Sequence, residues 1–146
     1  MASLDGALQT KLRDQALALG ATYVGVADLA PVRDFVTAQG GEFLGDYRFG
    51  VSVGIVLSDA VVDQLYQHVN RDIARTYFHH IYSVVAGMLD RTAATLAFAI
   101  ERAGYRALPV PASAPYNDER MTGLISHKLA AHLSGNGWIG RNCLLI

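Results

Sequence analysis

The sequence predicts an α/β fold, a mixed or parallel sheet flanked by helices, and two observations carry that prediction. Stretches with apolar residues at three- and four-residue intervals alternate along the chain with short runs rich in Val, Ile, Tyr and Leu. Glycine, proline or asparagine marks nearly every boundary between them. With 51% of 146 residues apolar, the chain suits a single domain over residues 1–146 with one core. No internal repeat, low-complexity tract or linker interrupts it.

Leu4, Leu8, Leu12, Ala16 and Leu19 share a helical face, which predicts an amphipathic helix over residues 3–19 ended by Gly20. Residues 21–27 then read as a buried strand. A short helix opens at Asp28 or Leu29, with Pro31 in its first turn and Val32, Phe35 and Val36 inward, and Gly40-Gly41 closes it. Residues 51–57 form a second buried strand, and a short helix capped by Ser58 or Asp59 runs to about His68. The central core helix starts at Asn70 or Asp72. Its stripe is Ile73, Tyr77, Ile81, Val84, Met88, Thr92, Leu96 and Ala99, and Gly104 stops it. Residues 105–110 read as a third strand, at an edge because of Pro109, and 111–123 as a loop over the sheet.

Twelve basic residues against thirteen acidic ones leave a net charge of −1, with no Lys/Arg run able to neutralise several phosphates. That argues against a nucleic-acid footprint in this segment. The N-terminus lacks a secretory pattern, and Asp90-Arg91 cuts the longest apolar stretch, so the expectation is a cytoplasmic protein with no membrane span. One cysteine allows no internal disulfide, no paired-thiolate zinc site and no four-cysteine iron-sulfur cluster. Neither His79-His80 nor the five-residue spacing of His127 and His132 suits a shared metal, so no metal ligand is assigned.

The last twenty-one residues concentrate the remaining signal. Ser126 caps a helix to Leu133, Gly135 ends it, and Gly137 and Gly140 shape a tight loop around Trp138. Cys143 to Ile146 then read as the start of a buried strand, with Cys143 as a small packed hydrophobe. Gly135-x-Gly137-x-x-Gly140 has dinucleotide-binding spacing, but the order here is helix, glycines, strand. The loop therefore meets the partly negative end of its helix, which is wrong for a pyrophosphate. Trp138 is either a core plug or a cofactor platform, and Lys128 and Arg141 either hold an anionic group beside it or make surface ion pairs. Asp118-Glu119-Arg120 is an acid–base candidate or a solvated turn.

Lys128-Leu-Ala-Ala followed by Gly135-Asn-Gly-Trp-Ile-Gly-Arg-Asn142 and an apolar run resembles the epoxyqueuosine reductase family and its iron-sulfur relatives. Gly20-Ala-Thr-Tyr-Val-Gly-Val-Ala27 is similar to that family's opening, so the likeness covers most of the chain while its specific part is the C-terminal stretch. The resemblance implies a corrinoid-binding domain, related in fold to nitroreductases and reductive dehalogenases and incomplete at its C-terminus. Cobalamin would lie near the Trp138 loop and residues 111–125, held by Lys128, Gly135, Gly137, Trp138, Gly140, Arg141 and Asn142. A ferredoxin domain with two 4Fe-4S clusters would follow beyond Ile146, and the family's reaction reduces epoxyqueuosine to queuosine in tRNA.

The chain departs from the family at two positions. Met121 stands where the family carries a proton-donating aspartate, and Leu124 where it carries a proline. Asp118 is the substitute acid if the loop turns it inward. An exposed Cys143–Ile146 edge would favour a homodimer through that strand. Two other classes stay open: a non-catalytic binding or assembly module on the same fold, and a flavin nitroreductase-like enzyme, for which no basic phosphate-binding cluster is visible.

Overall fold

The computed structural model describes residues 5–117, 119 and 121–146. Helix α1 (Gly6–Ala18) leads to strand β1 (Tyr23–Asp28), a 3-10 turn at Ala30–Val32 and helix α2 (Arg33–Gly40). A second 3-10 turn, Glu42–Asp46, returns the chain to strand β2 (Phe49–Gly54). After α3 (Asp59–Val62) and a turn at Leu65–Gln67, one continuous 32-residue helix runs from Arg71 to Arg102. It consists of α4 (Arg71–His79), a π segment (His80–Val85) and α5 (Ala86–Arg102), and α6 (His127–Leu133) completes the set.

Three helices end in the same way, and glycine is the reason. Gly20, Gly104 and Gly135 adopt φ of 94°, 89° and 78°, a left-handed conformation that a side chain disfavours. At each, the residue after the glycine donates its N–H five positions back: Ala21 to Ala16, Tyr105 to Ile100, Asn136 to Ala131. These Schellman closures satisfy carbonyls the helix leaves unpaired. At the other ends, Asp5 accepts from Ala7 N–H, Asn70 from Asp72 N–H and Ser126 from Leu129 N–H.

The fold is α/β as expected, but the sheet is neither mixed nor parallel: it has two strands. β1 and β2 pair antiparallel, from Tyr23 opposite Gly54 to Asp28 opposite Phe49. A parallel crossover must carry the chain back along the whole preceding strand. The six residues of β1 span about 20 Å, whereas the eight residues of α2 cover only about 12 Å, so the chain re-enters beside the point where it left. Leu29 N–H bonds Arg48 carbonyl at 2.7 Å and closes that gap.

Val24, Val51 and Val53 pack on a core of Leu8, Leu12, Ala16, Ala21 and Leu96, which places α1 and α5 on one face. Gly25 points to the other face, where a Cβ would sit 2.7 Å from the Ser134 carbonyl, so α6 lies against β1 only because this residue is glycine. The result is a thin three-layer arrangement. The buried Thr92 is satisfied by donating to Met88 carbonyl at 2.9 Å.

Several expectations change. Among the described residues, 105–110 form no strand, and Cys143–Ile146 is exposed rather than buried, pairing only with the segment just before it. The helix after Asp59 breaks into α3 and a 3-10 turn, and Phe35 faces solvent while Val36 is buried. In the long helix the π segment shifts the phase of the stripe: Val85 and Ala86 turn inward, and Val84 and Met88 turn out. The Asp90-Arg91 pair does not take this helix below membrane length and composition. Its inner side nevertheless packs on α1 and β2.

Candidate functional site

The C-terminal stretch folds as a helix followed by a small hairpin that the helix holds. Trp138 and Ile146 exchange both backbone bonds, at 2.9 and 2.8 Å, and Gly140 N–H reaches Leu144 carbonyl at 2.8 Å. The turn is closed by Cys143 N–H on Gly140 carbonyl, and Asn142 Oδ1 accepts from Leu144 N–H at 3.1 Å. On α6, Lys128 and His132 lie one turn apart on one face. Lys128 Nζ donates to Cys143 carbonyl at 2.7 Å, and His132 Nδ1 lies 3.1 Å from Gly137 carbonyl.

Each glycine of the stretch has its own structural duty. Gly135 ends α6. A Cβ at Gly137 would collide with the Ile146 carbonyl, and one at Gly140 with the Ile146 side chain, so both let the two arms close. Cys143 takes φ 60° in the turn, a conformation that suits glycine better, and its thiol is exposed rather than packed in a strand.

The structure therefore brings together Lys128, Gly135, Gly137, Trp138, Gly140 and Asn142, with Arg141 exposed at the hairpin tip. Trp138 is 61% exposed and its cross-strand partner Ile146 is also open, which makes a small apolar platform and removes the core-plug reading, while Ile139, paired with Leu145, lies on the opposite face of the hairpin. Lys128 is committed to a carbonyl of its own chain. His132, the second tether, carried no signal in the sequence beyond its spacing of four from Lys128.

Asp118 lies outside the described residues. The segment around it is closed by paired bonds between Asn117 and Thr122, and Gln39 Nε2 donates to Gly123 carbonyl at 2.8 Å. Gly40 leaves room for the Leu124 carbonyl, which fixes this loop on α2. Met121 stands 77% exposed with φ 50°. Asp90 Oδ1 takes Ala112 N–H at 2.8 Å and His127 Nε2 lies 3.1 Å from Pro111 carbonyl, anchoring the loop's other end.

Two clefts lie elsewhere. One, of about 390 Å³, runs along the long helix beneath Ala112 and Ser113 and is lined by Ile81, Tyr82, Val85 and Leu89. The other, of about 250 Å³, has Leu29, Val36 and Leu44 as its floor and Arg33 and Arg48 at its rim. Beside it the Asp28 carboxyl is held below its ordinary value, first by the Ala30 N–H on Oδ1, which burial partly opposes, and further by the Arg48 guanidinium 3.3 Å from Oδ2. Among the described residues, no group of three His, Cys, Asp or Glu side chains is placed to hold a metal ion.

The chain matches no protein-family model, no curated protein and no solved structure.

Proposed function

We propose that the chain is the corrinoid-binding-like domain of an iron-sulfur reductase resembling epoxyqueuosine reductase, with the finer fold of that class, and that the Trp138 hairpin is its cofactor platform. One observation carries this reading. The residues of the Lys128-to-Asn142 signature act as one built unit, helix, cap, glycine hairpin and two tethers, whose outcome is to hold a single tryptophan open to solvent.

These residues fit one face of a flat macrocycle. Trp138 and Ile146 offer apolar contact, Arg141 offers a cation for peripheral amide or carboxylate groups, and the fixed hairpin needs little reordering on binding. A bound corrinoid supplies cobalt redox chemistry. The chain's own part is to seat the ring and exclude water from the seated side. Iron-sulfur clusters belong to protein outside these residues, which hold one cysteine.

The second reading, a non-catalytic binding or assembly module, is favoured by Met121. Where the family places its acid, this chain presents an exposed thioether that cannot donate a proton. In the first reading that role passes to Asp118.

A titration of the folded chain with cobalamin, following the visible spectrum and Trp138 fluorescence together, tests the proposal. The expected result is saturable quenching with a spectral shift, weakened in Lys128→Ala because the hairpin loses its tether. A folded chain that leaves both signals flat at micromolar cobalamin rejects the corrinoid reading for this domain.

A further inference from the structure

The cleft of about 250 Å³ beside α2 combines a fixed apolar floor with a cation that the chain itself does not use. Leu29, Val36 and Leu44 are buried and form the floor, and Gly45 and Tyr47 of the returning turn add to the wall. Backbone bonds tie both sides: Leu29 N–H meets Arg48 carbonyl at 2.7 Å, and Tyr47 N–H meets Leu44 carbonyl at 3.1 Å. The cleft is therefore formed before anything enters it.

Three guanidinium groups stand around it, and they differ in their partners. Arg48 meets Asp28 at 3.3 Å. Arg106, whose Cζ lies 5.7 Å from the centre of the Tyr47 ring, meets Asp46 at 3.4 Å. Arg33 makes no hydrogen bond and no ion pair among the described residues. Its position is nevertheless defined. A Cβ at Gly45 would sit 3.0 Å from both Arg33 Nε and Nη2, so the guanidinium lies against the turn at the rim, and glycine is what lets it lie there. Asp34, the next residue, stands about 100° further round the helix. The lining holds no acidic residue, and with Asp28 set against Arg48 one positive charge remains in excess.

We propose that this cleft binds a compact monocarboxylic acid, its carboxylate on Arg33 and its hydrocarbon body on Leu29, Val36 and Leu44. The guanidinium fork matches the two carboxylate oxygens. One excess charge suits a monoanion better than a phosphate dianion, which would bring a second negative charge toward Asp28. The floor carries no hydroxyl or amide side chain, so the body of the ligand is apolar. The volume falls below the roughly 300–1,000 Å³ usual for drug-sized ligands, which limits the occupant to about the size of benzoate or hexanoate. The cleft shares no residue with the Trp138 hairpin, so this site stands whether or not a corrinoid binds there.

Benzoate is the probe, added to the isotope-labelled full chain and followed by amide shifts and by the Arg33 Nε–H resonance in nuclear magnetic resonance spectra. Saturable shifts confined to residues 29–48 are expected, with a Kd of about 1 mM, as a small ligand with one ion pair allows. Benzyl alcohol has the ring without the charge, and inorganic phosphate the charge without the ring; each should bind roughly tenfold more weakly. Arg33→Gln should weaken benzoate by about tenfold, because the carboxylate loses its charged partner. Arg75→Gln removes the same charge from α4 and should change the affinity by about twofold at most. Circular dichroism checks that both variants stay folded. No saturation at tens of millimolar benzoate overturns the proposal. So do equal losses in the two variants, which would show diffuse attraction only, and phosphate binding as tight as benzoate, which would show an anion site with no use for the apolar floor.

Discussion

Two halves of this molecule are built from the same kinds of residue and packed to different degrees. Between α1, the sheet and α5, leucine, valine and alanine side chains close on one another, and Leu12 and Leu96 are 2% and 3% exposed. In α3, α4 and the C-terminal hairpin, phenylalanine, tyrosine, valine and tryptophan remain open, with Phe78 and Trp138 more than half exposed. The first half stabilises itself; the second half offers surface. Apolar content alone therefore says how much can be buried, and the topology decides what the burial is against.

Substitutions should separate the halves by size of effect. Leu12→Ala, in the closed half, is expected to lower stability in urea unfolding by about 3 kcal/mol, because its neighbours leave no path for collapse. Phe78→Ala measured at low concentration should stay within about 0.5 kcal/mol, since a side chain already in water loses little contact. Equal losses at the two positions would erase the distinction. Gly40→Ala should cost about 2 kcal/mol, as its methyl would meet the Leu124 carbonyl and side chain of Leu44.

Smaller changes sharpen the comparison within the hairpin half. Ser126→Ala removes the cap on α6 and is expected to cost about 1 kcal/mol by the same unfolding measurement. Cys143→Gly should raise stability by up to about 1 kcal/mol, because glycine takes φ 60° without strain. No gain there would mean that the turn is not under strain at that residue.

The smallest effect expected is a pH dependence at Asp28. Its folded pKa is depressed, so its contribution is complete above the ordinary value of 3.8 and is lost as pH falls through the lower folded value. Comparing acid unfolding of the parent chain with that of Asp28→Asn reads this directly. The variant should show the shallower loss of stability below pH 3.8.

Local signals were legible in the sequence and long-range ones were not. Gly20, Gly104 and Gly135 were readable as helix ends because the left-handed closure needs glycine wherever it occurs. The caps Asn70 and Ser126 were readable for the same local reason. The sheet direction was not, because it depends on how far α2 travels, and a periodic stripe does not encode that distance. The stripe itself misled at Val84 and Met88, since nothing in residues 80–85 announces a π turn. In the candidate site, the glycines and Lys128 were identifiable by type and spacing. That Lys128 would hold a backbone carbonyl, and that Trp138 would face outward, follows only from the hairpin that Ile146 closes.

Hydrogen exchange by mass spectrometry, run at two protein concentrations, tests the division most directly. Amides of α1 and of the β1–β2 ladder should exchange slowly and identically at both, because they open only with global unfolding. Amides of α4 and the π segment should exchange faster at both, because these turns bury almost no side chain. Uniform slow exchange across α4 in dilute protein would contradict the account, showing a half that needs nothing to cover it.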